Sequence, residues 1–228
     1  MTISLGIDGT GPESNSEYAT EFAHSFVRRI WWHSPARQRA YLPGPAMLGG
    51  ATLGLSQRGY RWLTANRRHG ESVLLSGYSR GAAIAVDIAR ALEADGIQVH
   101  AMMLFDCVDR ALDIDSTTIP LNVADALHVR RDPAARSRES FSNAGAISRG
   151  SGVRHRQTFF MGTHGALGGV PWVQPVGEPR ACGRLIDEGG VDGLTTITYE
   201  RDAECAREGW NWIRPYLVRM GFIRQSGS

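Results

Sequence analysis

A serine stands between two glycines in Gly77-Tyr78-Ser79-Arg80-Gly81, with the apolar run 72–76 before it and the alanine-rich stretch 82–94 after it. A strand that turns straight into a helix through such a pentapeptide makes a nucleophile elbow. The serine is held in a strained backbone conformation, and the glycines leave room for crowding main chain. The helix N-terminus sets partial positive charge beside the hydroxyl. The backbone N–H of Arg80 would be one donor to an oxyanion. The chemistry such a residue can do is attack on an acyl carbonyl, provided a base and an orienting acid are within reach.

The base must come from His24, His33, His69, His100, His128, His155 or His164. His24 and His33 fall in or at the end of a helix expected to reach residues 33–35. His69, His100 and His155 fall at the wrong ends of expected strands. His164 follows the expected strand 157–161 in Gly162-Thr163-His164-Gly165, a loop able to reach across a site, and is the expected base. His128, near the end of the expected strand 122–129, is the second choice. Asp106 ends the expected strand 99–105 and is the expected acid; Asp132 is the alternative acid, one strand later, and Asp109 a further one. The early loop Asp8-Gly9-Thr10-Gly11 would supply a second oxyanion N–H from Gly9 or Thr10, with Asp8 bonded to the loop's own amides. Taken alone, that loop also resembles a phosphate-binding turn.

The elements that must hold these groups alternate. Strands are expected at 3–8, 72–76, 99–105, 122–129 and 157–161, and helices at 14–35, 51–65, 82–94 and 202–219. Ser14 and Glu17 read as a capping box, and Tyr18, Phe22, Phe26 and Ile30 share one helical face. Residues 41–50 read as a Pro/Gly-rich loop. This alternation predicts an α/β fold with a mostly parallel central sheet covered by helices on both faces, its site at the carboxyl ends of the strands. One domain over 1–228 is expected, with 170–193, rich in Pro and Gly, as a lid or substrate loop.

Composition closes off several chemistries. All 25 basic residues are arginine. Without a lysine there is no P-loop, no kinase strand lysine and no Schiff base. A net charge of +2 gives no footprint for nucleic acid. Cys107, Cys182 and Cys205 form no metal or redox motif, so no metal and no cofactor are expected. No apolar run reaches the length of a membrane span and no signal peptide is read, so a cytoplasmic location at synthesis is expected.

Four motifs together resemble one bacterial family. Residues 7–11, Ile-Asp-Gly-Thr-Gly, resemble its D-G-T-G-N segment, and 77–82 its G-F-S-R-G-A elbow. Residues 104–108, Leu-Phe-Asp-Cys-Val, resemble its W-D-T-V acid segment, and 162–169 its G-x-H-x-x-x-G-G segment. Weaker similarity runs through 41–44 and 126–141. The family is the α/β-hydrolase catalytic domain of type VI secretion lipase effectors and their bacterial relatives. The resemblance implies an α/β-hydrolase fold and a Ser79–Asp106–His164 triad that hydrolyses carboxylic esters, phospholipid acyl esters among them. It also implies signal-independent export and a secretion-apparatus or immunity-protein partner. This chain departs from the pattern in having Pro12 after the first loop and Cys107 after the acid. The competing reading is a catalytically silent member of the same fold that binds or assembles, with Trp31 and Trp32 as either core-and-rim residues or a docking patch.

Overall fold

The computed structural model describes residues 1–46, 52–108, 114–141, 144–177 and 182–225. The elements are β1 (Thr2–Ile7), α1 (Asn15–Glu21), α2 (Phe26–His33), β2 (Gln38–Leu42), α3 (Thr52–Asn66), β3 (Ser72–Tyr78), α4 (Arg80–Ala94), β4 (Val99–Phe105), β5 (Thr118–Ile119) and β6 (Val123–Arg131). They continue with β7 (Ile147–Ser148), β8 (Arg154–Phe160), α5 (His164–Gly168), β9 (Leu185–Asp187), β10 (Leu194–Thr198) and α6 (Tyr199–Arg219).

Six strands form one sheet in the order β2-β1-β3-β4-β6-β8, and every neighbouring pair is parallel. Such a sheet is buried on both faces, which is why its strands are near-continuous apolar runs. Alternation along each strand divides them between two cores. Val73 and Leu75 of β3, with Ile3, Leu5 and Ile7 of β1, pack on the side of α3 and α4. Leu74, Met103, Phe105 and Val129 pack on the opposite side with α2 and α6. No helix among the described residues is long and apolar enough to cross a membrane.

The short elements β5, β7, β9, β10 and α5 were not expected from the sequence; α5 begins at His164, which was expected in a loop, and two further differences bear on the site. The single helix expected over 14–35 is two helices, and His24 lies in the turn between them. Ser25 makes the break: its Oγ accepts from the Arg28 N–H at 3.1 Å as the cap of α2, while its hydroxyl donates to the buried Asp8 carboxylate. A helical Ser25 could not do both. Within the 41–50 loop, residues 41–42 finish β2, an edge strand paired to β1; its sequence Gln-Arg-Ala-Tyr-Leu is half-buried except at the exposed Arg39 and lacks the apolar run of the inner strands. Residues 47–51 of that loop, and Asp109, lie outside the described residues.

Candidate active site

β3 delivers Ser79 into the turn before α4 with φ 55° and ψ −126°, a conformation strained for any residue with a side chain. The two flanking glycines are required by approach, not by turn angle. A Cβ at Gly77 would come 2.5 Å from Ala82 Cα, and one at Gly81 would come 2.2 Å from Asp8 O. The elbow is thereby pressed against the end of β1. It is tied laterally as well: the Ser79 N–H donates to Phe105 O at 2.9 Å, and the Val108 N–H donates to Ser79 O at 3.2 Å.

At the end of β4 the chain turns at Asp106, also at positive φ, 40°. His164 opens α5, and its N–H donates to Ser137 Oγ at 2.8 Å. His164 Nε2 lies 2.9 Å from Ser79 Oγ, and His164 Nδ1 lies 2.6 Å from Asp106 Oδ2. The ring is held between Tyr78, 5.0 Å away centroid to centroid, and Phe141, 5.3 Å away and edge-on. Ser79, Asp106 and His164, separated by 27 and then 58 residues in sequence, are thus joined in one line of hydrogen bonds.

Asp106 is wholly buried and remains a carboxylate. Burial works against ionisation, but the His164 hydrogen bond and charge, together with Arg131, outweigh it and hold the group at about 2. With the acid ionised, Nδ1 of His164 carries the proton and Nε2 is left to accept from the serine hydroxyl. Arg131 has no role in the sequence reading. Its Nη1 lies 2.5 Å from Asp106 Oδ2, and its backbone N–H donates to Oδ1 at 3.2 Å. Its Nη2 donates to Arg138 O and Phe141 O at 3.1 and 2.9 Å. The signal available was an arginine in the last position of a mostly buried strand next to the one that leads into Asp106. Asp202 was also missed; its carboxylate takes the N–H and hydroxyl of Thr163 and the N–H of Trp172, fixing the histidine loop at both ends.

The alternatives are occupied elsewhere. Asp132 accepts from the Ala134 N–H at 2.9 Å and caps the 133–135 turn. His128 is fully buried; its Nε2 accepts from the Cys107 N–H at 3.0 Å and its Nδ1 faces Gly145 O at 3.2 Å. Burial pushes its imidazole down to about 3, so it is neutral and serves to shape the turn that carries Asp106.

Of the expected oxyanion residues, Arg80 and Thr10 line the cleft in front of Ser79. Gly9 does not fit its expected role: its N–H donates to Asp8 Oδ1 at 3.1 Å. Asp8 takes that donor, and Thr10 is the residue of this loop that borders the cleft. Tyr18 braces the same loop, its hydroxyl donating to Gly9 O at 2.5 Å while accepting from the Gly44 N–H at 2.8 Å. A Cβ at Gly44 would lie 2.0 Å from Gly9 O and 2.3 Å from Asp8 O. Gly44→Ala is therefore expected to displace the loop, cost about 2–3 kcal/mol in urea unfolding, and lower turnover along with stability.

Asp8 makes this loop sensitive to pH. Burial raises its carboxyl to about 7, against the hydrogen bonds of Ser25, Tyr41 and Gly9. The folded state then holds the proton more tightly than the unfolded chain. Its contribution to stability is complete below about pH 4 and is lost as pH rises to about 7. Asp8→Asn is expected to remove this slope, so that the melting temperature of the variant gains on wild type between pH 4 and 7 and the gap is constant above. Parallel curves over that range would contradict the assignment.

In front of the serine lies a cleft of about 1560 Å³. Phe22, Phe26, Tyr78, Phe141, Trp172 and Trp210 give it an apolar wall. Part of the 170–193 segment borders it: Val173 and Val191 are 80% and 90% exposed along its rim. Within that segment Glu188 and Asp192 anchor the 137–140 loop through Ser137, Arg138 and Ser140. Residues 178–181 lie outside the described residues.

A parallel sheet with a strained serine between the third strand and the following helix, covered on both faces, decides the class. The fold is that of the α/β-hydrolases. Residues 62–139, roughly a third of the chain, match the family model of the Thioesterase domain, a span that includes Ser79 and Asp106 but not His164. No curated protein matches the sequence. Among solved structures, an uncharacterized protein from Pseudomonas aeruginosa is 16% identical with a TM-score of 0.46, over 75% of this chain and 41% of its own. This chain thus spans less than half the length of that protein. RedJ, a thioesterase from the prodiginine biosynthetic pathway in Streptomyces coelicolor, is 15% identical with a TM-score of 0.40, over 75% of this chain and 85% of its own. A putative cell surface hydrolase from Lactobacillus plantarum is 10% identical with a TM-score of 0.47, over 96% of this chain and 92% of its own. The match to the Thioesterase domain supports a hydrolase.

Proposed function

We propose that this protein is a serine hydrolase that cleaves acyl esters or thioesters through an acyl-enzyme. The observation that carries the proposal is the line of hydrogen bonds from Ser79 through His164 to Asp106. Ser79 Oγ attacks the acyl carbonyl carbon while His164 Nε2 takes its proton. The carbonyl π electrons move onto oxygen, where the N–H groups of Arg80 and Thr10 receive the charge. Collapse expels the leaving alcohol or thiol, which takes the proton from His164. Water then repeats the sequence on the acyl-serine and releases the acid. Asp106, itself held by Arg131, keeps the imidazole in the required tautomer and stabilises the imidazolium.

The cleft supports a long apolar acyl group: it exceeds the ~300–1,000 Å³ common for small-ligand sites, and its rim exposes Val173 and Val191. The segment 170–193 is on this reading the substrate loop of one 1–228 catalytic domain. Phospholipid acyl esters, export and a secretion or immunity partner belong to this proposal through the motif resemblance. The thioester alternative is favoured by the Thioesterase match. Matched acyl esters and acyl thioesters of two, eight and sixteen carbons test the reading. Turnover that rises with chain length and disappears in His164→Ala is expected. Absence of turnover on the whole panel by a folded protein would overturn it in favour of a silent binding module.

A further inference from the structure

β9 and β10 form a hairpin apart from the main sheet. Its apolar attachment is small: Ile186 and Ile197 pack with Ala135 in a core separate from the two that flank the sheet. Much of the remaining attachment is polar, and it centres on Glu188, just past β9, whose side chain has no exposed surface. Oε1 of Glu188 accepts from the Ser137 hydroxyl at 2.9 Å, and Oε2 accepts from the Arg138 N–H at 2.6 Å. The His164 N–H donates to the same Ser137 Oγ at 2.8 Å. An amide can only donate, so Ser137 Oγ accepts from His164 and its own proton goes to Glu188. One line thus runs from Glu188 through Ser137 to the main chain of His164, while Asp106 holds the same residue by its ring.

The segment that Glu188 grips is strained. Arg136 and Arg138 take φ 51° and 46°, a region that residues with a Cβ avoid. Such backbone persists only where its partners over-determine it. From the sheet, Arg131 Nη2 holds the carbonyls of Arg138 and Phe141. From the hairpin, Glu188 takes the Arg138 N–H and Asp192 takes the Ser140 N–H at 2.9 Å. The same segment sets the Phe141 ring edge-on to the His164 ring. A displaced Glu188 carboxylate therefore shifts the base at two points, its main chain and its ring. Gly189, Gly190 and Val191, which follow Glu188, border the cleft in front of Ser79. The carboxylate itself is turned away from that cleft, toward Ser137 and Arg138.

We infer that Glu188 is a positioning residue for His164, acting through Ser137, and that the β9–β10 hairpin belongs to the catalytic machinery rather than to the cover of the cleft. The inference rests on the reading of His164 as the base. Glu188→Gln keeps the volume but offers one acceptor oxygen where the Ser137 hydroxyl and the Arg138 N–H need two. Ser137→Ala cuts the same line from its other end. Thr196→Val is the control: it removes a different tie of the hairpin, the Thr196 hydroxyl on Ala134 O at 2.6 Å, which does not lead to His164.

Each full-length variant is assayed well below its melting temperature, on the acyl substrate that wild type turns over fastest. In Glu188→Gln and in Ser137→Ala, kcat is expected to fall by about ten-fold or more with KM within about two-fold of wild type. The double variant falls little further, because both changes break one line. Thr196→Val keeps the wild-type kcat. A second readout needs no turnover: NMR of protein with isotopically labelled histidine ring nitrogens, at about pH 8, above the ordinary histidine range. There the wild-type His164 ring is a single tautomer with its proton on Nδ1, facing Asp106, and in both variants it becomes a mixture. An unchanged tautomer in folded Glu188→Gln, an unchanged kcat, or a loss of kcat matched by Thr196→Val overturns the inference. A wild type without turnover sinks the hydrolase reading instead, and the tautomer comparison alone then decides the role of Glu188.

Discussion

Ser79→Ala is expected to cut turnover by about 10⁴-fold or more while the protein melts within a degree or two of wild type. The change removes one oxygen. The hydroxyl is nearly buried, and its hydrogen-bond partner is a ring already held by Asp106, Tyr78 and Phe141. The positive φ at this position burdens alanine no more than serine, so the elbow keeps its shape. His164→Ala is expected to cost about as much as Ser79→Ala, and the double variant little more than either alone. Residues that act as one unit are not additive. Additive losses would mean that the two side chains do not share a proton.

Arg131→Met is expected to be the most damaging change outside the line of three. It leaves the Asp106 carboxylate in a dry site with His164 and the residue 131 N–H as its partners, and removes the anchor for the carbonyls of Arg138 and Phe141. Breaking a buried ion pair from one side typically costs about 3–5 kcal/mol. Methionine fills much of the volume, so electrostatics dominates the loss. The kinetic signature separates positioning from mere destabilisation. Without Arg131 the Asp106 carboxyl rises from about 2, and the acid limb of the rate profile moves to higher pH with it. A variant that is less stable but keeps the wild-type pH profile would assign Arg131 to structure alone. In wild type the same carboxylate supplies about 2 kcal/mol that is present above pH 4 and lost as pH falls to about 2. Asp106→Asn should show no such loss.

The central layers were readable because burial on both faces writes itself into strands as uninterrupted apolar runs. The stretches 72–76 and 99–105 are of that kind, and β4 spans the latter range. The elbow was readable for a different reason: two glycines are forced by backbone oxygen and Cα atoms within about 2.5 Å, and a steric demand of that sort leaves a fixed spacing. β2 was not readable, because an edge strand half-covered on both sides carries no alternation. The division of α1 from α2 was hidden as well. Tyr18, Phe22, Phe26 and Ile30 keep helical spacing across the break, and the cause of the break, Ser25, answers to Asp8 seventeen residues away. Arg131 and Asp202 belong to the same class: each acts on a loop reached only through the fold.

Gly9 illustrates the limit at the site itself. The loop was identified from its glycines, but which N–H faces the cleft depends on the orientation of one carboxylate. Asp8 turns back on the Gly9 amide, and nothing in the order of residues 8–11 announces that choice.

The central claim is an activated serine at position 79. Its most direct test is intact-mass analysis of the folded wild-type protein after exposure to a fluorophosphonate, with peptide mapping of the adduct. A single stoichiometric adduct on Ser79, absent from His164→Ala treated in the same way, is the predicted result. A folded protein that stays unmodified, or one modified at another residue, would contradict it.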